Sequence, residues 1–232
     1  LILMKDIPIE YLFIDEAHKI SKKDGRSAFY YKVVDMLSQR STPPHIIFAS
    51  PNIPNPEVYL QLIPDVANRE NYKIATKFSP VNQEKFLIDF KCFELHYYNE
   101  ATQKLTKYCS FPEDKGLLDF VHELGESARS IVYSNSKDNV VEYALQYATQ
   151  LQPLHDSDLD VLAQDIRQDV HGDYYLADIV EKGVAYHMGY LPSTIRARIE
   201  SLYKDGKIHT LFCTSTLLEG VNLPADNLFI TS

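Results

Sequence analysis

Four apolar residues, Tyr11-Leu12-Phe13-Ile14, run directly into two carboxylates, Asp15 and Glu16, which Ala17 and His18 follow. An uninterrupted apolar run of this length predicts a strand buried on both faces, the pattern of parallel sheets. The carboxylates then stand where the strand leaves the sheet, the end at which open α/β sheets bind ligands. Neighbouring side chains on extended backbone point to opposite sides. One carboxylate can therefore face a metal-bound phosphate while the other reaches a water beside it. NTP hydrolysis needs that division of labour: one acid to hold Mg2+ and one group to orient the attacking water.

The rest of the chain alternates strand and helix signals. Phe29, Tyr30, Val33, Val34 and Leu37 recur at helical spacing and predict a helix over 27–39. Pro43 and Pro44 stop it, and residues 45–49 predict a second strand parallel to the first. Residues 50–56 hold three prolines and read as irregular, with a short helix over 57–63. Extended segments at 85–90 and 92–98, a turn at 99–102 and a return strand at 103–108 predict a hairpin-like connector. Beyond it come helices at 117–125, 140–147, 156–171 and 193–204, and strands at 130–133, 184–187, 209–213 and 228–232. This alternation predicts parallel βαβ units.

The 232 residues suffice for one large or two small domains with real cores, and 45% apolar content describes a globular chain. A net charge of -9 argues against a purely electrostatic nucleic-acid binder, but leaves room for local basic patches. Cys92, Cys109 and Cys213 show no metal-ligand spacing, and so sparse a set suits reduced thiols in a cytoplasmic protein. No apolar run approaches the roughly 18 residues of a membrane span, and no signal peptide is expected because Lys5-Asp6 breaks the first apolar letters. Leu1 at the start and an unfinished strand at 228–232 are what an internal piece of a longer protein would show.

Asp15-Glu16-Ala17-His18 resembles the Walker B motif of superfamily 2 helicases, which takes the form DEAD or DEAH. Ser50-Pro51-Asn52-Ile53-Pro54-Asn55 resembles motif III, with Pro51 and Asn52 departing from its usual letters, and Ser130 to Ser136 resemble motif IV. Gly183-Val184-Ala185-Tyr186-His187-Met188-Gly189, then Leu191-Pro192, Arg196 and Glu200, lead to Cys213-Thr214-Ser215-Thr216-Leu217-Leu218-Glu219-Gly220-Val221-Asn222-Leu223-Pro224-Ala225. This order is similar to the second RecA-like domain of Ski2-like and related DExH helicases, in which it ends in motif V.

The resemblance implies an α/β fold of two RecA-like parallel-sheet units, the first incomplete, joined by a β-hairpin linker. Its bounds would be 1–80, 81–112 and 113–232. It implies ATP and Mg2+ as cofactors and a DNA or RNA strand as partner, with accessory domains or protein partners allowed for. Asp15 would hold Mg2+ and Glu16 the attacking water. His18 and Ser50 would couple hydrolysis to domain movement. Gly220 and Asn222 would meet the nucleotide, while Ser134, Asn135, Thr214, Ser215 and Thr216 would hold the strand backbone. Read without the family, 214–216 is a plain strand end and His187 a core histidine. No Gly-x-x-x-x-Gly-Lys-Ser/Thr is present, Gly206-Lys207 being followed by Ile208, and motif VI would lie beyond Ser232. The competing expectation is a helicase-like scaffold that recruits partners without hydrolysing ATP.

Overall fold

The computed structural model describes residues 7–21, 27–50, 55–63, 70–75, 83–125, 128–217 and 223–231. The chain divides into two compact units, residues 1–82 and 83–232.

In the first unit, β1 (Tyr11–Ile14) and β2 (His45–Phe48) pair in parallel, Tyr11 opposite His45 and Ile14 opposite Phe48. Helix α1 (Ser27–Ser38) and two short 3-10 helices, Ala17–Ser21 and Pro56–Leu62, complete it among the described residues. Ile14, Ala17, Ile20, Val34 and Tyr59 form the buried centre, and Leu12, Tyr30, Ile46 and Phe48 pack against it. The rings of Phe48 and Tyr59 stack at 5.4 Å. The expectation that β1 is buried on both faces is corrected. Tyr11 and Phe13 are 63% and 62% exposed. Strand alternation turns Leu12 and Ile14 toward the helices and Tyr11 and Phe13 away. Among the described residues, packing covers only the first of these faces. The loop expected after His18 begins instead as a 3-10 turn, because Ala17 and Ile20 have a core to enter.

The second unit opens with an antiparallel sheet of β3 (Lys85–Asp89), β4 (Glu94–Asn99) and β5 (Lys104–Ser110). Its turns are set by side-chain carbonyl and carboxylate oxygens. Asp89 accepts from the Lys91 and Cys92 amides, and Asn99 accepts from the Thr102 amide. Those two bonds hold the Asp89 carboxyl below its ordinary pKa.

A four-stranded sheet follows, made of β6 (Ser130–Ser134), β7 (Val184–His187), β8 (Thr210–Cys213) and β9 (Asn227–Thr231). All its pairings are parallel and its order is β7-β8-β6-β9. Parallel strands need crossovers. These are supplied by α3 (Lys137–Thr149), α4 (Ser157–Asp169) and α5 (Leu176–Val180) between β6 and β7, and by α6 (Ser193–Lys204) between β7 and β8. Helix α2 (Leu117–Gly125) precedes β6. The mixed α/β class with parallel sheets is therefore as expected. Each long crossover helix buries one stripe. Leu159, Leu162, Ala163 and Ile166 do so on α4, and Ile195, Ile199, Leu202 and Tyr203 on α6. Strands β7 and β8 are buried at every position, which fixes the direction in which their ends emerge. Helix α5 was not legible, since five residues are too few to show a helical period.

Gly183 immediately precedes β7 at φ +72, a left-handed backbone, and its carbonyl accepts the His209 amide at 2.8 Å. A Cβ there would lie 2.8 Å from Leu154 Cδ1 and 3.1 Å from the Lys207 carbonyl. Gly183→Ala is therefore expected to destabilise the second unit by about 1–3 kcal/mol through backbone strain. A lowered denaturation midpoint with unchanged m-value would register it.

Candidate functional site

The end of β1 and the loop after β2 meet in the first unit. The Ala49 amide donates to the Ile14 carbonyl at 2.9 Å, and the Ala17 amide donates to the Ala49 carbonyl at 2.9 Å. Between these bonds the chain turns at Asp15 and Glu16. Glu16 has φ +52, and its amide donates to Asp15 Oδ1 at 2.8 Å. The two carboxylates are thus separated by a left-handed turn, which corrects the expectation that strand alternation separates them. Backbone of this kind in a non-glycine residue is uncommon and clusters at functional sites.

The turn carries Glu16 toward His18. His18 Nδ1 lies 3.1 Å from Glu16 Oε2 and 3.1 Å from Ser50 Oγ, so an N–H there has two acceptors. The His18 amide also donates to Ser50 Oγ at 3.3 Å. Ser50 faces Tyr59, whose phenol is raised above its ordinary pKa by burial. Asp15, Glu16, His18 and Ser50 are therefore brought to one end of the β1–β2 pair. Asp15 is exposed and Glu16 half-exposed. Tyr59 was missed in the sequence, where it is one more apolar residue of a short helical stretch. Pro51 and Asn52 lie outside the described residues.

In the second unit the loops at the C-terminal ends of β6 and β8 carry the hydroxyls. Ser134 is 2% exposed and accepts the Ser136 amide at 3.3 Å. Ser136 caps α3 by accepting the Asn139 amide at 3.3 Å. Asn135 is exposed, and its Oδ1 accepts from the Tyr133 hydroxyl. Of Ser134 and Asn135, only Asn135 presents its side chain to solvent. After β8 the chain enters a 3-10 turn, Ser215–Leu217, closed by the Leu217 amide donating to the Thr214 carbonyl at 3.2 Å. Thr214 is 7% exposed, with its Oγ1 3.0 Å from Thr216 Oγ1, while Ser215 and Thr216 face solvent. The preceding Cys213 is fully buried and its thiol is pushed up to about 12, so it is a neutral packing group. Gly220 and Asn222 lie outside the described residues. So do Leu218, Glu219 and Val221.

Among the described residues no cluster of three or more His, Cys, Asp or Glu side chains forms a metal cage. An exposed Asp15 suits a different kind of site. Mg2+ keeps most of its waters and is held by one or two carboxylates together with substrate phosphates.

These features describe a protein with parallel α/β sheets whose strand ends carry an acid turn in one unit and a hydroxyl turn in the other. Along nearly its whole length it is similar to proteins named ATP-dependent DNA helicases. The "ATP-dependent DNA helicase Hel308" of Caldivirga maquilingensis is 25% identical over 229 residues, which are 94% of this chain and 28% of that protein. The protein of the same name from Methanococcus vannielii is 25% identical over 227 residues, 94% of this chain and 29% of that one. The "Probable ATP-dependent DNA helicase HFM1" of Xenopus tropicalis is 25% identical over 251 residues, 97% of this chain and 17% of its own. The chain thus spans less than a third of the length of these relatives. No protein-family model matches it.

Proposed function

We propose that this chain is part of an ATP-dependent helicase or translocase that couples Mg-ATP hydrolysis to movement along a nucleic-acid strand. The observation that carries the reading is the acid turn tied to the second strand: Asp15 exposed, Glu16 held beside His18, and His18 within 3.1 Å of Ser50. In this reading residues 1–80 are the end of a first RecA-like domain, 81–112 a linker and 113–232 most of a second. The parallel pairings within 11–48 and within 130–231, with the antiparallel sheet of 85–110 between them in sequence, support that division.

Asp15 would hold Mg2+ through its water shell, and the ion would supply positive charge to offset the charge that develops on the phosphates. Glu16 accepts a hydrogen bond from the attacking water and so orients it. The left-handed turn leaves the Glu16 carboxylate beside His18, and in this reading Asp15 serves the metal and Glu16 the water. His18 reads the state of Glu16 and passes it to Ser50 through the shared Nδ1. Gly220 and Asn222 would complete the nucleotide contacts. Asn135, Ser215 and Thr216 offer hydrogen bonds to strand phosphates, with Ser134 and Thr214 supporting them from beneath. Phosphate contacts of this kind position a strand without reading its bases. Three relatives matched along nearly the whole chain are named DNA helicases, so a DNA strand is the first substrate to test. No helix among the described residues is long and apolar enough to cross a membrane. The exposed thiols of Cys92 and Cys109 fit a reducing, cytoplasmic compartment.

The test is the ATPase rate of the full-length enzyme against the concentration of single-stranded DNA or RNA at two salt levels. The rate should rise with strand concentration, and the half-saturating concentration should increase with salt as counterions are released. A rate flat in every titration, with the acid turn intact, would overturn the reading.

A further inference from the structure

We infer that His187 and Glu200 form a positioning pair that sets the geometry of the Thr214-Ser215-Thr216 turn from the neighbouring strand. This inference rests on the strand-binding reading of that turn.

His187 is the last residue of β7 and is 1% exposed. Its Nε2 lies 2.8 Å from Glu200 Oε1 on α6. Among the described residues its other ring nitrogen, Nδ1, meets no partner. The contact to Glu200 therefore decides how the ring, and with it the end of β7, is seated. The link from β7 to α6 is a tight turn, with the Leu191 amide donating to the Met188 carbonyl at 3.2 Å. Met188 and Leu191 anchor its two ends in the core, at 0% and 3% exposure. Gly189 stands at its exposed tip, directly against the turn that follows β8. A Cβ on Gly189 would lie 3.1 Å from Thr216 Cγ2. Thr216 in turn shares a hydroxyl contact of 3.0 Å with Thr214.

These contacts form one mechanical line: Glu200 seats His187, His187 ends β7, the turn places Gly189, and Gly189 bounds Thr216. The β7–β8 register makes the line short, since His187 lies opposite Cys213, the residue before Thr214. A shift at the end of β7 must be taken up by Thr216, because the strands beneath are fully buried and close-packed. Neither His187 nor Glu200 needs to touch the strand. The pair acts on strand affinity through the turn.

The test compares wild type, Glu200→Ala, Glu200→Gln and His187→Phe in the full-length enzyme. It reads amide hydrogen exchange of 213–217 and the affinity for a fluorescent single-stranded DNA. Glu200→Ala should speed exchange at 214–217 by about tenfold, as local opening does, while exchange in β6 and α3 stays at wild-type levels. The half-saturating DNA concentration should rise about fivefold or more, as loss of geometry at charged contacts does, with the saturated ATPase rate within about twofold. Glu200→Gln keeps an acceptor for the ring and should restore both readouts. His187→Phe keeps the volume, removes the bond and should behave as Glu200→Ala. Exchange that is unchanged, or raised evenly through the unit in both Glu200→Ala and His187→Phe, would overturn the pairing role. If exchange changes as stated but wild type binds no strand, the positioning stands and the strand-binding reading falls. If wild type binds DNA and both variants match it, the reading stands and the positioning falls.

Discussion

Glu16→Gln in the full-length enzyme is expected to bind ATP with near wild-type affinity and to turn it over about 100-fold more slowly or worse. The amide matches the carboxylate in size and can adopt the same left-handed turn, so the fold of the site persists. What it loses is the anionic acceptor that orients water. The Asp15 carboxylate accepts from the main-chain amide of Glu16, and that bond survives the change. Binding should therefore be spared, since the metal side of the site is Asp15 and not Glu16. His18 keeps Ser50 as an acceptor at 3.1 Å, so the coupling contact also persists. Steady-state turnover and binding of a fluorescent ATP analogue, measured side by side, separate the two effects. Turnover near wild type would remove Glu16 from its proposed role.

Thr214→Ala combined with Thr216→Ala should raise the half-saturating strand concentration by about tenfold to 100-fold, the range for losing one or two hydrogen bonds to charged phosphates. ATPase measured without strand should move far less, because these residues sit at the end of β8 and not in the acid turn. The single variants should rank by exposure. Thr216 faces solvent and loses a direct contact. Thr214 is 7% exposed and acts chiefly by holding the Thr216 hydroxyl. Titrations of both single variants and the double, at one salt concentration, give the order. Equal losses in basal and stimulated rates would argue against a strand contact.

The second unit was the more legible one in physical terms. Helix α2, strand β7 and helix α6 have the bounds the sequence predicts, 117–125, 184–187 and 193–204. The two helices bury the stripe that their periodicity marks, and β7 is a short run buried at every position. The first unit was less legible because its short strands do not carry enough context. Tyr11-Leu12-Phe13-Ile14 is apolar at every position, yet only Leu12 and Ile14 enter the packed face among the described residues. An all-apolar run cannot say which face is covered. The acid turn was visible as letters but not as backbone, since nothing in Asp15-Glu16 announces φ +52. The approach of His18 to Ser50 spans 32 positions and depends on β1–β2 pairing, which sequence spacing does not encode. The same holds for Gly189 against Thr216, a contact made only because β7 and β8 are neighbours.

The most direct measurement of the central claim is strand displacement by the full-length enzyme on a partial DNA duplex with a single-stranded tail. Wild type with Mg-ATP should release the labelled strand, and omission of ATP or of Mg2+, or the Glu16→Gln change, should abolish release. Release that continues without ATP, or wild type that hydrolyses ATP at the same rate with and without DNA and releases no strand, would contradict the account.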